Sequence, residues 1–257
     1  MQKKVRNIVA AALIVLPTVG VGQGSAGSDS RFEPRYLVDI PTAGILHGGS
    51  YALDINFYQE GGALLGFTVG FLDRLNLGLS YGGSKLLGAQ NPVMNEAPGL
   101  SLKVRVIEEN LILPAIAIGF DSQGKDGYLK SLSRYTVKSP GLFAVGSKNY
   151  TMAGFFSVHG GVNYSFERAD GDKDFNIFIG AEKTLGPFIS ILAEYNLAAN
   201  DSDGNAIGKG RGYLNAGLKG ALGSGLTLGV NLKDLAKNGN NVNVGNRTIT
   251  LEYVKLF

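Results

Sequence analysis

The feature that most constrains this chain is a hydrophobic period of two. From Gly49 to Phe257 it recurs in twelve segments of roughly eight to eleven residues, the length a tilted membrane-crossing strand needs. Gly49–Tyr58 sets Tyr51, Leu53, Ile55 and Phe57 against Ser50, Ala52, Asp54 and Asn56. Because side chains alternate across a strand, each such segment has one apolar face and one polar or glycine face. The other segments are Ala63–Leu72, Leu75–Tyr81, Leu100–Ile107, Leu111–Phe120, Leu142–Tyr150, Phe156–Ser165, Asp174–Lys183, Phe188–Asn196, Tyr213–Ala221, Leu226–Lys233 and Arg247–Phe257. Leu111–Phe120 is apolar on both faces. Leu142–Tyr150 is weak and reads as Phe143 and Val145 outward against Ala144, Gly146 and Lys148 inward.

A soluble sandwich also alternates, so the connections decide. From Asp73-Arg74 onward they run short, long, short, long, the long ones being Gly82–Gly99, Asp121–Gly141, Leu197–Gly212 and Asp234–Asn246, with Phe166–Lys173 of medium length in its long place. Only the first, Gln59–Gly62, breaks the rhythm. Short turns on one rim and long loops on the other define an outer-membrane barrel with both termini on the short-turn, periplasmic side. Aromatic residues fall near strand ends, as interface belts require. Tyr81, Phe120, Phe143, Tyr164, Phe175, Tyr195 and Tyr213 lie toward the long loops, and Tyr150, Phe156, Phe188 and Phe257 toward the short turns. The fold class is therefore all-β, a single antiparallel transmembrane β-barrel of about twelve strands.

Residues 1–24 read as an export signal. Lys3, Lys4 and Arg6 precede the apolar run Ile8–Val21, and Gly22-Gln23-Gly24 or Gly24-Ser25-Ala26 offers a peptidase small residues. The run is short for a membrane helix. Residues 25–46 read as an irregular periplasmic lead-in, and 47–257 as the barrel. Without the three leader cations, 21 basic residues face 21 acidic ones, and a nucleic-acid partner held by charge is excluded. The chain has no cysteine and two histidines, leaving no disulfide, thiolate or Cys-ligated metal.

Chemistry is thinly represented. Ser157, His159 and Asn163 share a strand face and echo a Ser/His/Asn set, yet residues two apart on a strand are not placed for an in-line Ser–His bond. No catalytic residue, cofactor or metal site is assigned. Gly208–Gly212 lacks the Lys-Ser/Thr ending of a phosphate loop. Asp170–Asp174 and Asp201–Asn205 are oxygen-rich but lack the closing Glu of a calcium loop.

By parity the lumen receives Lys103, Arg105, Lys148, Lys219 and Lys233 against Asp54, Glu182, Glu194 and Glu252. Near-balanced charge argues for internal ion-pair ladders in a narrow lumen rather than a one-sign selective pore. Asp121–Gly141 carries Lys125, Lys130, Arg134 and Lys138 with Tyr128 and Tyr135. Rings beside cations suit an acidic sugar or a lipopolysaccharide headgroup. A passive loop, or one folded inward as a plug, is the alternative.

The ending Thr-Leu-Glu-Tyr-Val-Lys-Leu-Phe, with Leu251, Tyr253 and Phe257 on one face, resembles the assembly signal of outer-membrane barrels read by their assembly machinery. Lys255 departs from it. Pro114–Asp121, a loop and Leu142–Lys148 together resemble the strand–loop–strand of YjbH-like barrels. That resemblance implies a link to exopolysaccharide. The expected partners are outer-membrane lipid, lipopolysaccharide and the assembly machinery, with polysaccharide implied by the resemblance alone. The expected function is a non-enzymatic small channel or envelope component. The alternatives are a closed interaction barrel acting through its loops and, last, a lipid hydrolase.

Overall fold

In a computed structural model, residues 25–240 and 245–257 are described. The leader assigned to residues 1–24 lies outside them. The strands are β1 (Ser50–Tyr58), β2 (Gly62–Phe71), β3 (Leu75–Ser84), β4 (Val93–Met94), β5 (Gly99–Ile107), β6 (Ala115–Asp121), β7 (Lys125–Leu129), β8 (Arg134–Val137), β9 (Gly141–Thr151), β10 (Phe155–Tyr164), β11 (Asn176–Leu185), β12 (Ile189–Asn196), β13 (Tyr213–Gly223), β14 (Leu226–Lys233) and β15 (Asn246–Leu256). All of them but β4, β7 and β8 form one ring, each antiparallel to its two neighbours. The first and last close the ring, Ser50 opposite Leu256 and Phe57 opposite Ile249. Closure matters because it leaves no unpaired edge.

Local chemistry sets the turns. Glu60-Gly61, Leu72-Asp73, Ala153-Gly154 and Ser224-Gly225 all have positive φ at both positions, for example 51° and 83° at Ser224 and Gly225. Two left-handed residues in a row match the twist of the flanking strands in a tight hairpin. β6 begins at Ala115, later than the periodicity suggests. Pro114 has no N–H to give a ladder, so the strand cannot extend through it.

The exterior is an apolar belt. Leu65, Leu79, Leu100, Ile177, Ile179 and Leu218 each leave about half their surface uncovered. Burial alternates along β11, where even positions from Asn176 to Thr184 are buried. At the short-turn rim the Tyr51 ring lies 5.3 Å from Phe257 and 6.4 Å from Tyr253. At the long-loop rim Tyr164 packs 4.8 Å from Phe175, and the Arg168 guanidinium sits 4.6 Å above Tyr164.

Three placements correct the sequence reading. In β9 the inward residues are Phe143, Val145 and Ser147, not Ala144, Gly146 and Lys148. Lys148 pairs across with Val158, on the outer face, and its ammonium reaches Glu109 at 3.5 Å and carbonyls of the β5–β6 turn. It is therefore not a lumen charge. A cation with a long stem can lie along an apolar wall and place its head at the rim. Tyr213 likewise points inward, with its hydroxyl donating to Asp201. The third correction is the largest. Residues 25–46 are irregular but do not lie beside the barrel. They fill it, with Leu37 and Ile40 each 2% exposed.

Candidate functional site: a lumen filled by its own chain

The lead-in starts against the short-turn rim, where the Ser28 and Asp29 amides donate to the carbonyls of Gly186 and Pro187. It climbs to a tight reversal at Leu37–Ile40, closed by Leu37 N–H to Ile40 C=O and Thr42 N–H to Arg35 C=O. It then descends to His47 and Gly48, which meet Asp73 in the β2–β3 turn. The segment is thus a hairpin-shaped plug with both ends on one rim.

An irregular buried segment has backbone groups with no ladder partner, and each must be satisfied. Lumen side chains do this. The Glu194 carboxylate accepts from the amides of Val38, Asp39 and Ile40, at 2.9, 2.9 and 3.2 Å. Lys103 donates to the carbonyls of Arg35 (3.0 Å) and Thr42 (3.2 Å). Lys219 donates to the Tyr36 carbonyl at 3.0 Å. Arg105 donates to the Ala43 carbonyl and pairs with Glu33. Ser147 accepts the Ala43 amide and Asn76 the Leu46 amide.

Plug side chains complete the set. Arg35 pairs with Asp54 at 2.6 Å and Glu252 at 3.3 Å. Asp39 pairs with Lys233 at 2.8 Å. Glu182 accepts from the Ser25 backbone nitrogen and hydroxyl. Every lumen charge named from parity except Lys148 therefore holds residues 25–46. The charges do balance, but against the plug rather than as ladders along the wall.

Leu37, Ile40 and Ala43 pack with Ala117, Phe143, Val145, Phe178 and Leu192 in an apolar core within the lumen. This explains the inward faces of Phe143 and Val145. Gly180 makes the room: a Cβ there would come within 2.4 Å of Leu37 Cδ1 and 2.9 Å of Ile40 Cδ1.

Cavities remain on the short-turn side. One of about 400 Å³ is bordered by Glu33, Arg105, Ser147 and His159. Another of about 620 Å³ is bordered by Arg31, Phe32, Thr227 and Glu252. Thr227 and Glu252 also border a 140 Å³ cavity that reaches Tyr36, Asp121 and Lys125. Arg35 lines the smaller of these two spaces and pairs with Glu252, which borders both.

The long-loop rim is capped. β7 and β8 form a hairpin within the loop, and its first residues turn down onto the plug. Lys125 lies 4.5 Å from the Tyr36 ring, and Asp126 pairs with Lys233 at 3.1 Å. Arg134, fully buried, joins Asp170 (2.7 Å) and Asp201 (2.5 Å) from two other loops. Lys138 reaches Asp170 at 2.8 Å. Glu167 accepts the Tyr135 amide, and burial pushes its carboxyl above the usual range despite that bond. Burial pushes the Tyr135 phenol up to about 12.

The proposed ligand contacts are thereby divided. Arg134, Tyr135 and Lys138 are buried in the cap, Lys125 faces the plug, and Tyr128 donates to Glu96 at 2.6 Å. Lys130 alone of the six is exposed. The six do not come together as one outward acidic-sugar site, because Arg134 and Lys138 are buried against carboxylates and Lys125 is turned onto the plug. Asp170, Asp172 and Asp201 likewise serve Arg134, Lys138 and loop amides rather than a calcium ion.

The Ser157, His159 and Asn163 set does not assemble. Ser157 donates to Asn149, and Asn163 donates to the Pro140 carbonyl at 2.9 Å. His159 Nδ1 lies 2.7 Å from Ser147 Oγ, and among the described residues no carboxylate lies within ion-pair distance of the ring. Leu251 and Tyr253 lie on the final strand and Phe257 directly follows it, with Tyr253 and Phe257 in the outer aromatic cluster.

This arrangement defines a class: a closed twelve-strand barrel with an internal plug and a loop cap. No family model matches the chain, and no curated protein matches its sequence. Among solved structures it is similar to the KdgM porin, at 11% identity and a TM-score of 0.48, over 79% of this chain and 98% of that one. It is also similar to Omp33 of Acinetobacter baumannii, at 11% identity and 0.44, over 81% and 97%. A third similarity is to the COG4313 outer membrane channel from Pseudomonas putida F1, at 13% and 0.42, over 83% and 97%. Nothing about solute or partner passes from them to this chain. The resemblance to YjbH-like exopolysaccharide barrels is not supported. The residues that carried it are the β6 and β9 walls, whose pattern follows from barrel packing.

Proposed function

We propose that this protein is a small outer-membrane channel whose own residues 25–46 occlude it, and that passage requires this plug to shift. The carrying observation is that the lumen charges on β1, β5 and β11 to β15 bind the plug rather than face a free channel. The membrane setting is supported by the exposed apolar belt and by ring closure, which satisfies every strand edge. Among the described residues no helix is long and apolar enough to cross a membrane. A barrel crosses with strands.

The membrane placement has its own test. Leu228→Arg puts a cation on the outer face of β14 and is expected to cost about 2–4 kcal/mol near the bilayer midplane. Unfolding in lipid vesicles, followed by heat-modifiable gel mobility, reads the loss. Wild-type stability of this variant would overturn the assignment.

The channel reading is tested with a tether. Ala43 N–H bonds to the Ser147 hydroxyl at 2.9 Å, and the chain has no natural cysteine to interfere. Oxidised Ala43→Cys/Ser147→Cys protein is expected to be silent in planar bilayers, and reduction is expected to restore the intermittent openings of the wild type. Equal conductance in both states would overturn the plug. Silence of the wild type under every voltage would favour the second reading, a closed interaction barrel, which the locked loop cap also suits.

A further inference from the structure

Glu182 carries the strongest unexplained demand in the lumen. It is 1% exposed and sits on the inward face of β11. Among the described residues no side-chain cation lies within ion-pair distance of it, whereas Asp39, Asp126, Asp170 and Asp201 each pair with one. Its partners are the backbone nitrogen and the hydroxyl of Ser25. A buried carboxylate met by neutral donors alone is costly.

Two further observations fall on the same residue. Ser25 has φ of 51°, a left-handed conformation that a non-glycine residue rarely takes. The angle φ describes rotation relative to the preceding carbonyl, so a residue with nothing before it has no φ to strain. Gly22-Gln23-Gly24 also places small residues at the two positions that a signal peptidase reads ahead of a cut. The alternative cut, after Ala26, would remove Ser25 and leave Glu182 without both partners.

We infer that export processing cuts between Gly24 and Ser25, and that the new α-ammonium of Ser25 is the counterion of Glu182, locking the plug's first residues into the lumen. Hydrolysis of the Gly24–Ser25 peptide bond by water gives a carboxylate on the leader and an amine on Ser25. The amine takes up a proton and offers three donors and one charge where the peptide N–H offered one donor and none. Neighbouring bonds already position it: the Ser190 hydroxyl accepts the Ala26 and Gly27 amides at 3.0 and 2.9 Å, and Lys219 donates to the Ser25 hydroxyl at 3.3 Å. Leader removal then both releases the chain and supplies the charge that fastens the plug. The inference rests on the export and plug readings above.

The test uses full-length protein expressed with its leader and purified from outer membranes. Intact mass is expected to correspond to Ser25–Phe257. A different first residue overturns the inference while leaving the tether result untouched. An amine-reactive acylating reagent is then applied to folded protein at pH 8, and labelling of the α-amine is followed by mass. A free α-amine titrates near 8. Pairing with Glu182 is expected to raise that value by about one unit or more and slow labelling about fivefold or more against denatured protein. Glu182→Gln keeps the shape and removes the charge, and is expected to restore fast labelling in the folded barrel. Equal labelling rates in folded wild type and folded Glu182→Gln would overturn the ion pair. If Glu182→Gln does not fold, acid-to-base titration of the wild-type labelling rate decides. A midpoint at the value of a free α-amine sinks the inference.

Discussion

Arg134→Ala is expected to cost about 3–5 kcal/mol, among the largest effects of any single side chain outside the wall. Arg134 is fully buried and bridges Asp170 and Asp201, one from each of two loops, while donating to the carbonyls of Tyr135 and Thr136. Truncation leaves two carboxylates facing each other, with only Lys138 to serve Asp170. The cost of a broken buried pair is dominated by the charge left behind, so Arg134→Ala combined with Asp201→Asn should recover part of the loss. The readouts are the heat-modification midpoint and protease digestion of the folded barrel. The loops should become cleavable at Lys130 and Lys138 while the strands stay protected. A variant with wild-type midpoint and uncut loops would show that the cap is not held by this cluster.

What the sequence discloses is what has a short period. Apart from β6, apolar on both faces, and β9, where the pattern is weak, the wall strands can be read from alternation, since a strand exposed to an apolar medium on one side and a polar interior on the other must alternate. The loop rhythm follows because antiparallel neighbours return to the same rim every second connection. Reading fails where the interior is not polar. Phe143 and Val145 face inward because Leu37 and Ile40 occupy the lumen opposite them, and parity taken from hydrophobicity alone then inverts β9 and sends Lys148 to the wrong side. The plug itself has no period at all. Its backbone is satisfied by Glu194, Lys103 and Lys219, far from it in sequence. A signal was present: lumen charges of both signs, almost equal in number, with no excess to select an ion. Such a set implies a partner of mixed charge, and Glu33, Arg35 and Asp39 in the lead-in supply one. The loop cations misled for a related reason. A cluster such as Lys138 and Arg134 beside Tyr135 looks like a ligand site until Asp170 and Asp201 are brought to it from other loops.

Removing residues 30–46 while keeping the flanking chain is expected to convert intermittent openings into a steady conductance with a linear current–voltage relation. The energetics separate the plug from its barrel. The wall ladders, including the closing pair of β1 and β15, involve no plug residue and can form without it. A twelve-strand ring is wider than the eight-strand barrels that side chains alone can fill, so the emptied lumen should admit water and ions. Lys103, Arg105 and Lys219 would then face water opposite Asp54, Glu194 and Glu252, while Glu182 keeps Ser25 and Lys233 keeps Asp126, and the open pore should show weak ion preference, because neither sign is in excess. Arg35→Ala gives the graded version. It releases Asp54 and Glu252, the latter bordering both the 620 and 140 Å³ cavities, and should raise the open fraction without abolishing closure, since Glu194 still holds the plug tip. Refolded deletion protein with the heat-modified mobility of a closed barrel but the conductance of the wild type would show that residues 30–46 do not block the path, and that the cap over the long-loop rim does.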